Sequence, residues 1–358
     1  MTIGSKLSKL ASVIAVTAGL ALPAAAQQAC TEMQVLLGIS PNHREDVMAM
    51  IAPKLKSELG VDLVTEAIGS VVMVDRVSAQ AAAPRISVVH WDVPIGIAAC
   101  DRGLCAPIDL ARVPNAAKLA DWAYARDADG KPVVLTGGVL GVGFLYNTEE
   151  FAKHKLAPPK AWKDLARPDL AGRLGLTAPQ STMGTAELVM LAKLNGGSEA
   201  KIDPGFAETK KILANQNTVF TWSSEMSNLL QLGDLWIAVN SSNLAPALRD
   251  KGLPIQFVWP EEGSPTVNAG VSLVKDGPCQ EAAYRYLDLY FSDEFQAARI
   301  RHGGGLSART SAWNLLSKQE LADLALGPED LGRLVNLDWR TINQERPAWL
   351  ERWQKEIR

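Results

Sequence analysis

The sequence has neither of the two motifs by which a hydrolase most readily shows itself. G-x-S-x-G and H-E-x-x-H are both missing, and the four histidines, at 43, 90, 154 and 302, fall at no metal-ligand spacing. A nucleophile elbow and a zinc-peptidase helix are thereby excluded, no metal or cofactor is expected, and the chain does not read as an enzyme. Cysteine is scarce too. There are four, and Cys100 and Cys105 form C-x4-C with no histidine nearby, which is poor zinc spacing. Basic residues gather into no stripe and acidic residues into no tail, which removes nucleic acid as a partner. A phosphate-cradling loop is lacking as well. The glycine cluster TGGVLGVGFLYN at 136–147 has the wrong spacing for G-x-G-x-x-G and no Gly-Lys-Ser/Thr after it. It lies inside a strand pattern, where glycine marks a bend or a close backbone approach.

What is present begins with Lys6, Lys9, an apolar run from Leu10 to Leu22, and Pro23-Ala24-Ala25-Ala26. This pattern predicts a signal peptide over 1–26, with the mature chain starting near Gln27. Pro23 and the alanines break the run short of the roughly 20 residues a membrane span needs. Gln27-Gln28-Ala29 before Cys30 lacks the aliphatic residue of a lipoprotein signal. A periplasmic protein with no direct membrane insertion is expected. Removing the two lysines of that segment leaves 34 basic against 39 acidic residues, a formal charge of −5. In an oxidising compartment the cysteines predict two disulfides, Cys100–Cys105 across a turn and Cys30–Cys279 from the first strand to a late helix. A mature length of about 330 residues exceeds what one core usually supports, so two domains are expected.

From Glu32 onward strand-like and helix-like segments alternate. MQVLLGI reads as a strand, and HREDVMAMIAPKLKSELG as one helix with Val47, Ile51, Leu55 and Leu59 on a face, ending at Gly60. VDLVTEAI and RISVVHW are strand-like around another helix, and the order continues through RLGLTAP, TVFTW, LWIAVN and IQFVWP, each separated by a helical stretch. This is α/β with a mostly parallel sheet. After TVNAGVSLVKD the chain reads as almost wholly helical. Segments 137–147 and 266–274 flank the middle block and predict two crossings between lobes, with a glycine-rich strand inside one sheet as the other reading.

GFLYNTEEF, APPKAWKDLARPDLAGRLGL, GDLWIAVNSSN and PIQFVWPEEGSPTVNAGVSLVKDGPCQEAAYRYLDLYFSDEFQ resemble, in order and spacing, the periplasmic substrate-binding proteins of ABC importers. The tail DWRTINQERPAWLERWQKEIR is similar to their closing helix. The subgroup is the spermidine/putrescine-binding type, within extracellular solute-binding family 1. The resemblance implies a two-lobe type 2 periplasmic-binding-protein fold, each lobe a mostly parallel sheet flanked by helices and joined by two crossing strands. Lobe 1 is then 27–137 plus 270–358 and lobe 2 is 138–269. It also implies a small-molecule ligand in the inter-lobe cleft, an ABC permease of the inner membrane as partner, and a monomer. Family members that bind iron use an adjacent tyrosine pair, and none of the five tyrosines here is adjacent to another. Polyamine binders clamp amines with tryptophan and carboxylate. The matching positions hold Val239 beside Asn240, and Val267 and Ala269 around Asn268, while QSTMGT lacks the expected acid.

Ligands of open α/β sheets sit beyond the carboxyl ends of strands. That rule selects Ser40 and Asn42 after the first strand, Trp91 and Asp92 after the third, Ser181 and Thr182 after LTAPQ, Glu225 after FTWSS, and Asn240 and Ser241 after WIAV, with Asn268 between the lobes. Each polar set also precedes a helix, so capping is the competing role. Trp91-Asp92 offers a stacking face beside a carboxylate for a cationic group, or else a half-buried tryptophan beside a capping aspartate. Ser181-Thr182 suits an anion, Glu225 is a second anion or a first-turn charge, and Arg309 is an anion contact or a solvated arginine. The expected ligand is a small polar or aromatic solute with at most one cationic group. The alternatives are a polyamine in a clamp relocated to Trp91, Asp92 and Glu225, or a ligand-loaded sensor for a membrane receptor.

Overall fold

The computed structural model describes residues 1, 30–38, 41–303, 305–324 and 327–357. The signal-peptide segment beyond Met1 lies outside the described residues, as does Ser40. A single path of hydrogen-bonded strands organises the chain. Parallel strands Glu32–Leu37, Asp62–Ala67 and Ile86–Asp92 form one end of it, and parallel strands Leu174–Thr177, Thr218–Phe220 and Ile237–Ser241 form the other. Between them run the two long strands Pro132–Asn147 and Ser264–Val274, antiparallel to each other and to their neighbours. They join the two halves: Ser264–Val274 pairs with Ile86–Asp92 of the first set, Pro132–Asn147 with Ile237–Ser241 of the second, and the two pair with each other between.

The crossings carry an irregularity at their middle. Ala269 lies opposite Gly138 and Gly270 opposite Thr136, so Gly137 is the extra residue of a bulge. None of the glycines in TGGVLGVGFLYN adopts a positive φ. Their use is closeness: a Cβ on Gly141 would lie 2.0 Å from the Trp259 ring, and one on Gly143 would lie 2.5 Å from the Val258 carbonyl oxygen.

Two large cores flank the sheet. One gathers Met33, Val88, Tyr286 and Phe295, and the other Trp91, Phe144, Trp162 and Phe206. The helix expected over 43–60 is two helices, Pro41–Met50 and Ala52–Leu59, because Pro53 cannot donate its backbone hydrogen bond. Gly60 closes the second with φ 70°. The tail departs from the wholly helical expectation in two short strands: Leu306–Ser307 pairs with the first crossing strand and Leu334–Val335 with the second. The last helix, Trp339–Glu356, lies across both halves. Asn343 donates to the Pro94 carbonyl at 2.8 Å, and Lys210 pairs with Glu356 at 2.7 Å on the other side. The sulfurs are bonded as Cys100–Cys105 and Cys30–Cys279. Among the described residues no helix is long and apolar enough to cross a membrane.

Candidate functional site

Helix starts from both halves of the sheet face one another across a cleft of about 500 Å³. From the first half comes Asp92, where the strand Ile86–Asp92 gives way to the helix Val93–Asp101. It occupies the N-cap position but makes no capping bond with its side chain, so the carboxylate is not used by its own helix. Its backbone N–H donates to the Ser70 hydroxyl at 3.0 Å. Burial by the surrounding protein pushes the Asp92 carboxyl above its ordinary range, opposed by a hydrogen bond between its side chain and Ser70.

From the second half come Ser181, Thr182, Trp222 and Asn240. Ser181 caps the helix Thr182–Leu194, its hydroxyl accepting from Gly184 N at 3.1 Å. Asn240 is 1% exposed, and its Oδ1 accepts from Ser241 N at 2.8 Å, which leaves its NH2 group for the cleft. Trp222 precedes the helix Ser223–Leu232 and is 64% exposed, an unusual exposure for so large an apolar ring. The far wall is Arg346 of the last helix, whose guanidinium donates to the carbonyls of Pro179 and Gln180; burial lowers its pKa. On the second crossing strand, Asn268 has a buried Oδ1 with no partner among the described residues.

A second cavity of about 410 Å³ shares Asp92, Leu140 and Ala269 with the first. It reaches under the first half of the sheet, to Asn42, His43, His90, Tyr290 and Arg299. Among the described residues, no group of histidine, cysteine or acidic side chains is arranged to hold a metal.

A family model for bacterial extracellular solute-binding proteins matches residues 49–324. This chain belongs to that family. The solute-binding protein is 29% identical over 226 residues to an uncharacterized protein of Haemophilus influenzae, covering 62% of this chain and 61% of that one, so it spans about three fifths of that relative's length. Its fold is that of type 2 periplasmic binding proteins. An ABC transporter structure from Clostridium perfringens superposes with a TM-score of 0.77 over 91% of this chain and 100% of that one, at 18% identity. The spermidine/putrescine ABC transporter substrate-binding protein PotD of Streptococcus pneumoniae gives 0.71 over 90% and 98%, at 16% identity. The family is one of extracellular solute-binding proteins, which are binders of small molecules rather than enzymes.

Within this solute-binding protein the cleft gathers Asp92, Ser181, Thr182, Asn240 and Asn268 of the residues expected from sequence, while Asn42 and the edge of Trp91 line the second cavity. The roles expected of four residues are corrected. Trp91 offers no stacking face: it is 1% exposed, its indole lies over Gly96, and its Nε1 donates to Ser272 Oγ at 3.2 Å. Glu225 and Ser241 line neither cavity. The Glu225 carboxylate accepts from Thr221 N at 3.0 Å and serves its own helix start, and the Ser241 hydroxyl donates to Asn243 at 2.8 Å. Arg309 is neither solvated nor in the cleft, since it is buried against Asp293 and the Asn115 carbonyl. Sequence reasoning missed Trp222 and Arg346. The signal for Trp222 was its place at the end of the strand-like TVFTW, three residues before the selected Glu225. Arg346 had none, being more than 160 residues from the carbonyls it meets.

Proposed function

We propose that this chain is the periplasmic solute-binding component of an ABC importer, and that its cleft takes a small polar organic solute bearing one cationic group. The carrying observation is Asp92: a carboxylate at a helix start, unused by that helix, in the wall common to both cavities. The cation sits on Asp92, the exposed face of Trp222 covers it, and Ser181, Thr182, Asn240 and Asn268 hydrogen-bond the remainder. A polyamine needs a carboxylate for each ammonium, because burying an unpaired charge costs several kcal/mol. Of the relocated clamp only Asp92 faces the cleft, which favours the single-cation reading. The lobes divide at 137/138 and 269/270, a reading supported by the bulge at those residues, and the last helix lies over both. The mature chain starts near Gln27.

Native mass spectrometry of freshly purified protein, followed by calorimetry over amines, amino acids and aromatic acids, tests the reading. Binding of a monocationic solute that disappears in Asp92→Ala is expected. Submicromolar spermidine binding by the parent protein would overturn it. A receptor gene beside this one, in place of permease and ATPase genes, would favour the sensor.

A further inference from the structure

The second cavity has a chemistry of its own. Its floor is built from groups with unused hydrogen-bonding capacity. His43 is 5% exposed, and its Nε2 is buried without a partner among the described residues. The Arg299 guanidinium makes one hydrogen bond there, from Nη1 to Asp46 Oδ2 at 2.9 Å, which leaves further N–H donors on a group that has five. The buried Tyr290 stands against His90 with 4.7 Å between ring centroids and against His43 with 5.7 Å. Its hydroxyl has no partner among the described residues. His90 is already engaged, its Nε2 and the Tyr286 hydroxyl being 2.9 Å apart.

The signs of the charges select what fits. Both oxygens of Asp46 are occupied, one by Arg299 and the other by His302 Nδ1 at 2.8 Å, so this carboxylate has little left to offer a cation. Burial, then the positive charge of Arg299, lowers the His43 pKa to about 3. Burial and the neighbouring His43 and Arg299 hold His90 well below its ordinary value. The floor therefore resists positive charge and presents N–H and O–H groups, while the acid on the shared wall is Asp92.

We propose that this cavity is an oxyanion subsite, in which Arg299, His43 and Tyr290 hold the carboxylate or phosphate group of a solute whose cationic end lies on Asp92. The inference rests on the cleft being the ligand site, and it makes the ligand a zwitterion. Neutral His43 and Tyr290 each donate one hydrogen bond and Arg299 supplies the compensating charge. Such an arrangement retains a buried anion without an unpaired cation in the apo protein, since Asp46 balances Arg299 until the guest arrives.

Imidazole nitrogen NMR of the mature protein at neutral pH, titrated with sodium phosphate, sodium acetate and, at matched ionic strength, sodium chloride, reads the subsite directly. A saturable shift of the His43 signals with phosphate or acetate, absent with chloride, is expected, and the stronger of the two identifies the oxyanion. Tyr290→Phe keeps the ring packing and should weaken that binding about tenfold, the usual effect of removing one hydrogen bond to a charged group. Arg299→Gln in an Asp46→Asn background, which leaves no buried charge unpaired, should abolish it. Calorimetry on ω-amino acids paired with alkylamines of equal length separates this inference from the reading of Asp92. Equal binding of both members of a pair, lost in Asp92→Asn, would keep Asp92 and overturn the oxyanion subsite. A phosphate or acetate shift with no organic solute bound would keep the subsite and overturn Asp92. His43 signals that answer chloride as they answer phosphate and acetate would end the proposal.

Discussion

Two tryptophans stand near the cleft, one turned into the core and one turned out. Replacing the exposed Trp222 with alanine is expected to weaken ligand binding about tenfold or more, the scale of an aromatic face lost from a cation. The unfolding midpoint should stay close to the parent, because exposed substitutions usually change stability by no more than about 0.5 kcal/mol. Trp91→Ala should do the reverse and cost about 3–5 kcal/mol in urea melts, as large-to-small core changes do. Equal stability of Trp91→Ala and parent would return that residue to the cleft. Glu187 carries a pH signature. It is buried beneath the helix Thr182–Leu194, accepts from Thr177 N at 2.9 Å, and burial raises its pKa well above the ordinary 4.5. A raised folded pKa means that the folded state holds the proton longer than the unfolded one, so stability is full below 4.5 and declines as pH rises through the folded value. Glu187→Gln should remove that decline, and thermal melts at increasing pH should show the variant gaining on the parent. The residue scale is also where sequence was least informative. RISVVHW mixes apolar residues with Ser87 and His90 in no strict alternation, because its strand is buried on both faces, so the pattern that would tell which way Trp91 points is missing. Arg299 and Arg346 reach the cavities from helices remote in sequence, and no local pattern marks an arginine as facing inward.

At the scale of elements, the crossing strands show a packing constraint that composition expresses as glycine. Gly141→Val would drive its side chain into Trp259, and such overpacking costs about 1–3 kcal/mol or more. Denaturant unfolding should show that loss together with a shift in tryptophan emission, and an unchanged Gly141→Val protein would refute the close-approach reading. Alternation of strand and helix was legible because a parallel sheet demands a crossover after each strand, and each crossover leaves a helical period between two apolar runs. Less legible were features decided by single residues or distant pairing. Pro53 splits a helix whose apolar spacing runs straight through it. The two-residue strands at 306–307 and 334–335 exist only because a crossing strand has a free edge to pair with.

For the molecule as a whole, two strands and the last helix are the connections between halves that face each other across open cavities. Saturating ligand should draw the lobes together, and small-angle scattering should record a smaller radius of gyration than in the apo protein. An identical radius with a ligand that raises the melting temperature would count against closure. Mass spectrometry after non-reducing alkylation should find all four cysteines unmodified in the secreted protein. The Cys30–Cys279 bond spans 249 residues and encloses the other, so its loss should cost about 2–5 kcal/mol. That nesting has a consequence for how the protein is made. A chain that crosses the membrane from its N-terminus exposes Cys30 first, then Cys100 and Cys105, and Cys279 near the end. Oxidation in order of arrival would join Cys30 to Cys100 and strand Cys105 with Cys279. The native pairing therefore requires Cys30 to remain reduced, or to be released by exchange, until most of the molecule has emerged, so this protein's yield should depend on a disulfide isomerase as much as on an oxidant.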